Sequence, residues 1–142
     1  MSGGITGTDM LTWDSVKWFK PEEFDDTYKI NLGKDMDMET VHRLDSLRGW
    51  VACPIIVTAG FDSRGHSTDS YHYKGKAVDI IICTDMTMRE QWEYIRISGF
   101  AGIGVYPDWK YKDFKGGWHC DSRNVSQLWR EVSKGEYFYL LP

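Results

Sequence analysis

The stretch "SYHYKGKAVDIIICTD", residues 70–85, places one acid in an otherwise apolar run. Asp79 stands between Val78 and Ile80, and further aliphatic residues follow. A short apolar run of this kind predicts a buried strand. An ionised carboxylate in an apolar strand is costly unless a partner compensates its burial. The sequence therefore implies a partner for Asp79.

Composition limits the class of protein and its partners. The 142 residues suit one domain, and seven Trp, eight Tyr and six Phe are too many for a disordered chain. The net charge of −4, without a basic stripe, argues against nucleic acid as a partner. No segment resembles a secretory signal or a membrane span, so we expect synthesis in the cytoplasm without a signal peptide, and no membrane partner. The three cysteines lack CxxC spacing and are expected to be reduced and mostly structural.

Hydrophobic spacing predicts a mixture of helices and strands. Apolar side chains three or four residues apart predict an amphipathic helix over residues 36–51. A second helix is expected to begin at Asp85 or Thr87 and to end at Gly99. Four strands are predicted, at residues 53–60, 76–83, 101–107 and 116–123.

The remaining segments are predicted as connections and short elements. Residues 61–75 form a long loop, and loops of that length in a compact domain are usually functional. A polar, aromatic loop is expected at 108–115, a short helix at 126–135 and an apolar tail at 136–142. Because helices and strands do not alternate regularly, the predicted class is α+β with a small, mainly antiparallel sheet flanked by helices.

Histidines are the natural partners of Asp79. His72 precedes it by seven residues, and Gly75 between them permits a turn. Those two residues alone are equally compatible with a structural hydrogen bond in a metal-free fold. His119, in a predicted strand, adds a third group, and three His and Asp ligands with one open position are the arrangement of catalytic zinc.

Two motifs resemble a known family. "SYHYKGKAVDI" fits the pattern Ser-x-His-x-x-Gly-x-Ala-x-Asp of the D-alanyl-D-alanine carboxypeptidase-like zinc peptidases, which share their fold with lysostaphin-type peptidases and the zinc module of hedgehog proteins. "GFAGIGVYPDW" followed by "GGWHCDSR" resembles two strands of the family's small phage and bacterial members. The resemblance implies a single zinc peptidase domain over 1–142, with an N-terminal extension at 1–18 and a core at about 19–130. It also implies that His72, Asp79 and His119 bind the zinc ion (Zn²⁺).

The catalytic base is the open question within this resemblance. Many relatives carry an acid three residues before the last histidine, where this chain has Gly116. Asp113 lies six residues before His119, at a place where the hedgehog module carries an acid, and an ordinary solvated loop acid is the alternative. Asp121 follows His119 by two, so both face one side of a strand, and it is either a base or an orienting partner. We favour Asp113 as base and Asp121 as orienting residue.

The resemblance also indicates residues that contact the substrate. His66 lies where relatives place a group that stabilises the oxyanion, although a solvated loop histidine is the alternative. Asp62 occupies the place of an arginine that binds a substrate carboxylate in the carboxypeptidases, and Arg64 is close enough to substitute. Tyr106 and Trp118 flank the site and are expected to line a substrate groove.

The resemblance implies a peptidoglycan peptidase that cuts stem peptides, with endopeptidase action favoured. The absence of a recognisable signal suits a phage lysis enzyme that reaches the cell wall on release, or a component of a phage tail that contacts other virion proteins. A zinc-stabilised binding or virion structural module without catalysis is the alternative, because Gly116 replaces an acid. Zinc binding without hydrolysis of cell walls would distinguish that module from the enzyme.

Overall fold

The apolar run around Asp79 forms the second of six strands in one sheet. The computed structural model describes residues 11–28, 30–133 and 136–139, and all structural statements concern these residues. Helices α1 and α2 cover Met38–Val51 and Met88–Ile95. The strands are β1 Ile55–Ala59, β2 Ala77–Ile82, β3 Gly102–Tyr111, β4 Phe114–Asp121, β5 Gln127–Ser133 and β6 Glu136–Tyr139.

The sheet is mostly antiparallel. Its strand order is β1-β2-β4-β3-β5-β6, and the pairing of β3 with β5 is parallel while the other pairings are antiparallel. The predicted α+β class is confirmed at this level. The parallel pair makes the sheet mixed. After β4 the chain crosses to the other side of β3, where β5 runs in the same direction as β3.

One face of the sheet carries the hydrophobic core. Alternate side chains of β2 and β4, including Ile80 and Trp118, are buried together with the apolar stripe of α1. The predicted spacing along α1 is confirmed, since Leu44 and Leu47 are fully buried. Cys120 is also buried there, on the side opposite to its neighbour His119, as its place in a strand predicts. The other face of β2 and β4 is left for polar groups.

Two sequence-based predictions are wrong in secondary structure. Residues 108–115 were expected to form a loop, but β3 extends to Tyr111, which pairs with Phe114 across a two-residue turn. The polar residues there alternate with aromatic ones because this hairpin is exposed to solvent. The segment expected to be a short helix is β5, whose pairing to the edge of β3 is a long-range contact that its sequence does not reveal.

The structure also bears on the cysteines, on membrane-spanning helices and on the two chain ends. All three cysteines are free thiols. No helix within the described part of the chain is long and apolar enough to cross a membrane. Within the predicted N-terminal extension, residues 1–10 lie outside the described residues, as do residues 140–142 of the predicted tail. β6 lies within that tail.

Candidate metal centre

The register between β2 and β4 brings the first two candidate ligands together. Asp79 pairs directly with His119, so their side chains leave the sheet on the same face as neighbours. His119 Nδ1 lies 2.9 Å from Asp79 Oδ1. Both side chains are about one-eighth exposed, so the Asp79 carboxylate lies near the surface on the polar face of the sheet and not inside the core.

His72 reaches Asp79 through a tight local turn. It belongs to a 3-10 helix at Tyr71–Lys74, in which the Ser70 hydroxyl accepts a hydrogen bond from the His72 amide. Gly75 ends this helix with φ +68, and a β-carbon there would lie 2.6 Å from the ring of Phe61. Glycine is therefore required, and the turn returns the imidazole to the strand. His72 Nε2 lies 3.1 Å from Asp79 Oδ1.

Hydrogen bonds on the far side of each ring determine its tautomer. His72 Nδ1 donates to the carbonyl oxygen of Gly60 at 2.8 Å, which leaves the lone pair on Nε2. His119 Nε2 donates to Asp121 Oδ2 at 2.7 Å, which leaves the lone pair on Nδ1. Two lone pairs and one carboxylate oxygen therefore face one another. Such a group of acceptors needs a cation at its centre, either a proton or a metal ion.

The pKa shifts describe the same cluster in its metal-free state. Burial acts to raise the pKa of Asp79, but the neighbouring His72 and His119 outweigh it and hold that pKa well below its usual range. Burial acts to lower the pKa of His119, but hydrogen bonds to Asp121 and Asp79 outweigh it and raise the pKa to about 9. Without metal, a proton on His119 therefore supplies the cation at neutral pH.

The donor set fits zinc. His72, Asp79 and His119 are one of the groups in the described chain whose ligand atoms lie within 4.8 Å of one another. Two imidazole nitrogens and one carboxylate oxygen, with room for a further ligand on the cleft side, are typical of a catalytic zinc site. Both histidines also have the outer hydrogen-bond partners that metal-ligating histidines usually have. The three residues are therefore a candidate metal centre.

Asp121 lies in the orienting position. It is fully buried, and Arg123 donates from Nε to Oδ1 at 2.8 Å and from Nη2 to Oδ2 at 2.6 Å. Burial acts to raise the pKa of Asp121, but Arg123 and His119 lower it to about 2. An ionised carboxylate with its oxygens occupied in this way is a poor proton acceptor. The geometry supports the orienting role and not the role of base.

Asp113 does not lie near the centre, so the geometry does not support it as the base. It is exposed in the two-residue turn between β3 and β4. His119 lies six residues farther along β4, which corresponds to roughly 20 Å of extended chain. The hairpin holds the turn away from the cleft, so Asp113 cannot approach the metal ligands without unpairing the strands.

The backbone explains why no acid stands at position 116. Gly116 is buried with φ +96, and a β-carbon there would lie 2.4 Å from the sulfur of Met88. Residues with a side chain rarely adopt this conformation. The glycine is thus part of the packing of β4 against α2.

Substitution of Gly116 by alanine is expected to destabilise the fold. The positive φ and the contact with Met88 together cost about 1–3 kcal/mol of unfolding free energy. Urea denaturation of the metal-free protein measures this change. Gly65 also has a positive φ, but a β-carbon there meets only the Tyr28 hydroxyl at 4.0 Å, so Gly65→Ala tests the φ strain separately from the contact. Equal stability of Gly116→Ala and the parent chain would contradict this account.

His66 lies beside the centre and is held by a buried acid. Its ring stacks on His72 with centroids 4.0 Å apart, and its Nε2 lies 2.7 Å from Asp62 Oδ2. The other oxygen of Asp62 accepts hydrogen bonds from the Thr27 amide and hydroxyl. Asp62, His66 and His72 also have ligand atoms within 4.8 Å of one another, but these hydrogen bonds already engage the acid and both rings.

A cleft of about 800 Å³ opens in front of the centre. Its lining includes His66, Asp69, His72, Asp79 and His119, together with several aromatic side chains. The aromatic members are Tyr71, Tyr106, Trp109, Trp129, Tyr137 and Tyr139. Because the three candidate ligands line this cleft, a ligand in it has access to the centre.

Two of the three predicted substrate residues do not line the cleft. Trp118 is buried on the core face, where its indole nitrogen donates to Gln91, because its neighbour His119 takes the other face of β4. The guanidinium of Arg64 lies over the ring of Tyr28, 3.8 Å from its centroid, and Arg64 is not among the lining residues. Tyr106 does line the cleft, and burial raises the pKa of its hydroxyl.

The sequence-based prediction missed several cleft residues. Trp129 was assigned to a helix, yet it lies on β5 and its ring is 5.2 Å from that of His119. Gln127, Trp129 and Glu131 line the cleft at alternate positions, a strand pattern that was overlooked in a segment with several polar residues. Arg123 and Asp62 were also missed as contacts of the site, although each bonds a near neighbour in the chain, Arg123 to Asp121 and Asp62 to His66.

Comparison with known proteins gives hedgehog proteins among the relatives of this chain. Indian hedgehog protein of Gallus gallus is 33% identical to this chain over 114 residues, and Indian hedgehog B protein of Danio rerio is 30% identical over 107. The chain is similar to hedgehog proteins. Tiggy-winkle hedgehog protein of Danio rerio is 29% identical over 103 residues. These alignments cover 72–75% of this chain, which spans only about a quarter of the length of each relative.

The comparisons have defined limits. No family model matches the chain, and no solved structure gives a significant match. The motifs resemble zinc peptidases that share their fold with the zinc module of hedgehog proteins. The similarity to hedgehog proteins agrees with that resemblance. The specific peptidase family and its cell-wall substrate rest on those motifs alone and belong to the proposal below.

Proposed function

We propose that this chain is a zinc-dependent peptidase that hydrolyses amide bonds in the stem peptides of peptidoglycan. The observation that carries the proposal is the convergence of His72 Nε2, Asp79 Oδ1 and His119 Nδ1 at the base of a cleft, with both tautomers determined by outer hydrogen bonds. A centre that only stabilised the fold would have no need of a cleft of this size.

A zinc ion held by these three groups would supply Lewis-acid chemistry, polarising a carbonyl oxygen and lowering the pKa of water toward ~7. Groups of the protein itself orient the side chains that would hold the ion. Asp121 and the Gly60 carbonyl orient the two imidazoles, so little reorganisation is needed when a substrate binds. The aromatic wall, including Tyr106 and Trp129, shields the reacting groups from bulk water.

We assign the role of general base to His66, which lines the cleft and stacks on the candidate ligand His72. Its Nε2–H is donated to Asp62, so the lone pair on Nδ1 is the site that accepts a proton from the attacking water. The protonated imidazole then gives this proton to the leaving amine. The buried carboxylate of Asp62 stabilises the imidazolium between those two transfers, as an orienting acid does in other His-based sites.

The choice of peptidoglycan follows from the motif resemblance and suits the site. The cleft has room for a peptide, and its mixture of aromatic and polar lining suits a chain of small residues. The phage setting, either a lysis enzyme or a virion component, belongs to the same proposal.

The proposal is tested with purified cell walls. Protein treated with a chelator should lose hydrolysis, and added zinc should restore it. His66→Ala should lower the rate of stem-peptide cleavage about 10²- to 10⁴-fold while zinc content is unchanged, because a general base is removed. Asp113→Asn changes an exposed acid of the hairpin turn and should leave the rate unchanged. A rate lost in Asp113→Asn and retained in His66→Ala would contradict this assignment.

A second candidate function has one specific observation in its favour. The backbone at Gly116 excludes the acid that many relatives use, so a zinc-stabilised module that binds a partner without catalysis is compatible with the centre. Both candidates predict stoichiometric zinc. Release of new amino termini from cell walls of several peptide types supports the enzyme, whereas zinc binding with no release from any of them supports the module.

A further inference from the structure

A row of paired residues crosses the polar face of the sheet from the candidate metal centre to the sheet edge. His119 on β4 pairs with Gly104 on β3, which pairs in turn with Trp129 on β5. Trp129 pairs with Tyr139 on β6, the last strand of the sheet order. Paired residues project to the same face of a sheet. The backbone of Tyr139 is three strand spacings from that of His119, which is roughly 14 Å.

A second row of rings lies beside the first. Tyr106 and Tyr137 are each two residues from a member of the first row, so they project to the same face. Their ring centroids are 6.3 Å apart, and Trp109 stacks on Tyr106 at 4.1 Å. Trp129 Nε1 donates to the Tyr106 hydroxyl at 2.9 Å, which joins the two rows. All five rings line the cleft and together form the aromatic surface, whose members are Tyr106, Trp109, Trp129, Tyr137 and Tyr139.

Two glycines allow these rings to lie against the backbone. A β-carbon at Gly104 would lie 2.5 Å from Trp129 Nε1, and one at Gly117 would lie 2.6 Å from the ring of Trp109. A side chain at either position would therefore displace the ring that covers it. Because Gly104 leaves this space, the ring of Trp129 reaches that of His119, with centroids 5.2 Å apart. The aromatic surface is thus continuous with the candidate metal centre.

The charges that line the cleft argue against an anionic polymer as the ligand of this surface. Apart from the histidines, the charged lining residues are Asp69, Asp79, Glu131 and Arg123. The guanidinium of Arg123 is bonded to the carboxylate of Asp121. A nucleic acid or another polyanion needs several cations to neutralise it, and the described lining residues do not supply them.

The mixture of rings and polar groups fits a neutral sugar. The side chains of Tyr137 and Tyr139 are 44% and 57% exposed, so a ligand can reach them. Gln127 and Glu131 flank Trp129 on the same face of β5. A wholly apolar ligand would remove these amide, carboxylate and phenol groups from water at a cost. A pyranose has weakly positive C–H groups for the electron-rich ring faces and hydroxyls at its rim for hydrogen bonds.

We propose that the aromatic surface binds the uncharged sugar part of a sugar-linked peptide while the peptide part lies at the metal centre. This inference rests on the proposed function, since it specifies the substrate of that same site. In peptidoglycan the stem peptide is attached to a chain of N-acetylated sugars. An extended peptide of about four residues spans the roughly 14 Å between the centre and the sheet edge, so one ligand reaches both.

Binding of a sugar oligomer to the full chain tests the inference without any peptide bond. Tri-N-acetylchitotriose, a neutral trimer of N-acetylglucosamine, is titrated into the zinc-treated protein and binding is followed by NMR. The trimer should bind more tightly than the monosaccharide, because the aromatic surface is long enough for more than one sugar ring. Tyr137→Ala and Tyr139→Ala should each weaken binding about 3- to 10-fold, the effect of one aromatic contact. Tyr139→Phe keeps the ring and should retain most of the affinity.

Tyr28→Ala is the matched control, because Tyr28 is 49% exposed and does not line the cleft. It should bind the trimer as the parent chain does. A trimer that does not bind the parent chain at millimolar concentration, or that binds both tyrosine-to-alanine variants of β6 as tightly as the parent, overturns the inference. So does weakened binding of a free stem peptide in those variants with unchanged binding of the trimer, which would make the surface a peptide site. A chain that binds the trimer through these tyrosines but releases no amino termini from cell walls supports the sugar site and overturns only the peptidase function.

Discussion

Asp79→Asn is expected to abolish zinc binding at micromolar zinc and to reduce hydrolysis to background. The substitution keeps the shape of the side chain but removes the negative charge that both imidazoles face at 2.9 and 3.1 Å. Loss of an outer partner alone costs about 10- to 100-fold in metal affinity, so loss of a direct ligand should cost roughly 100-fold or more. Competition with a chromogenic chelator measures the affinity, and circular dichroism shows whether the fold is retained.

Asp113→Asn is the matched control for this change. It removes the same charge from an exposed residue outside the cleft and should bind zinc as the parent chain does. Full zinc affinity in Asp79→Asn would contradict the candidate metal centre. In that case the cluster of Asp79, His72 and His119 would be a hydrogen-bonded structural motif that carries a proton and no metal.

Zinc affinity is expected to rise steeply with pH. In the metal-free protein the pKa of His119 is raised to about 9 from 6.5, so zinc must displace a proton at neutral pH. The apparent affinity should increase about tenfold per pH unit between pH 6.5 and 9 and level off above that range. Isothermal titration in two buffers of different ionisation enthalpy measures the proton released. A constant affinity across this range would contradict the raised pKa.

The same group makes the metal-free fold sensitive to alkali. Because the folded pKa of His119 exceeds its unfolded value, its stabilising contribution is complete below about pH 6.5 and is lost as pH rises through about 9. The shift corresponds to on the order of 3 kcal/mol of unfolding free energy. Urea denaturation with a chelator at several pH values measures the loss. His119→Gln in the same series should lack it, and an equal loss in that variant would assign the effect to other groups.

Local patterns predicted much of the architecture. The apolar spacing along α1 and the β-branched run of β2 correspond to the observed helix and strand, because each buries its own apolar face. The prediction of a short helix failed for β5, because this segment pairs with β3, a strand that lies earlier in the chain. It also failed for residues 108–115, where an exposed hairpin carries the polar residues of a loop.

The sequence by itself determined that Asp79 needs a partner, and it identified His72 and His119 as the partners. An acid in an apolar strand and a glycine turn are local features that do not depend on the rest of the fold. Only the tertiary structure decided which other groups surround them. Pairing of β3 with β4 places Asp113 in an exposed turn, and pairing of β3 with β5 brings Trp129 to His119. These contacts arise from pairing between segments that are far apart in the chain, so local spacing does not reveal them.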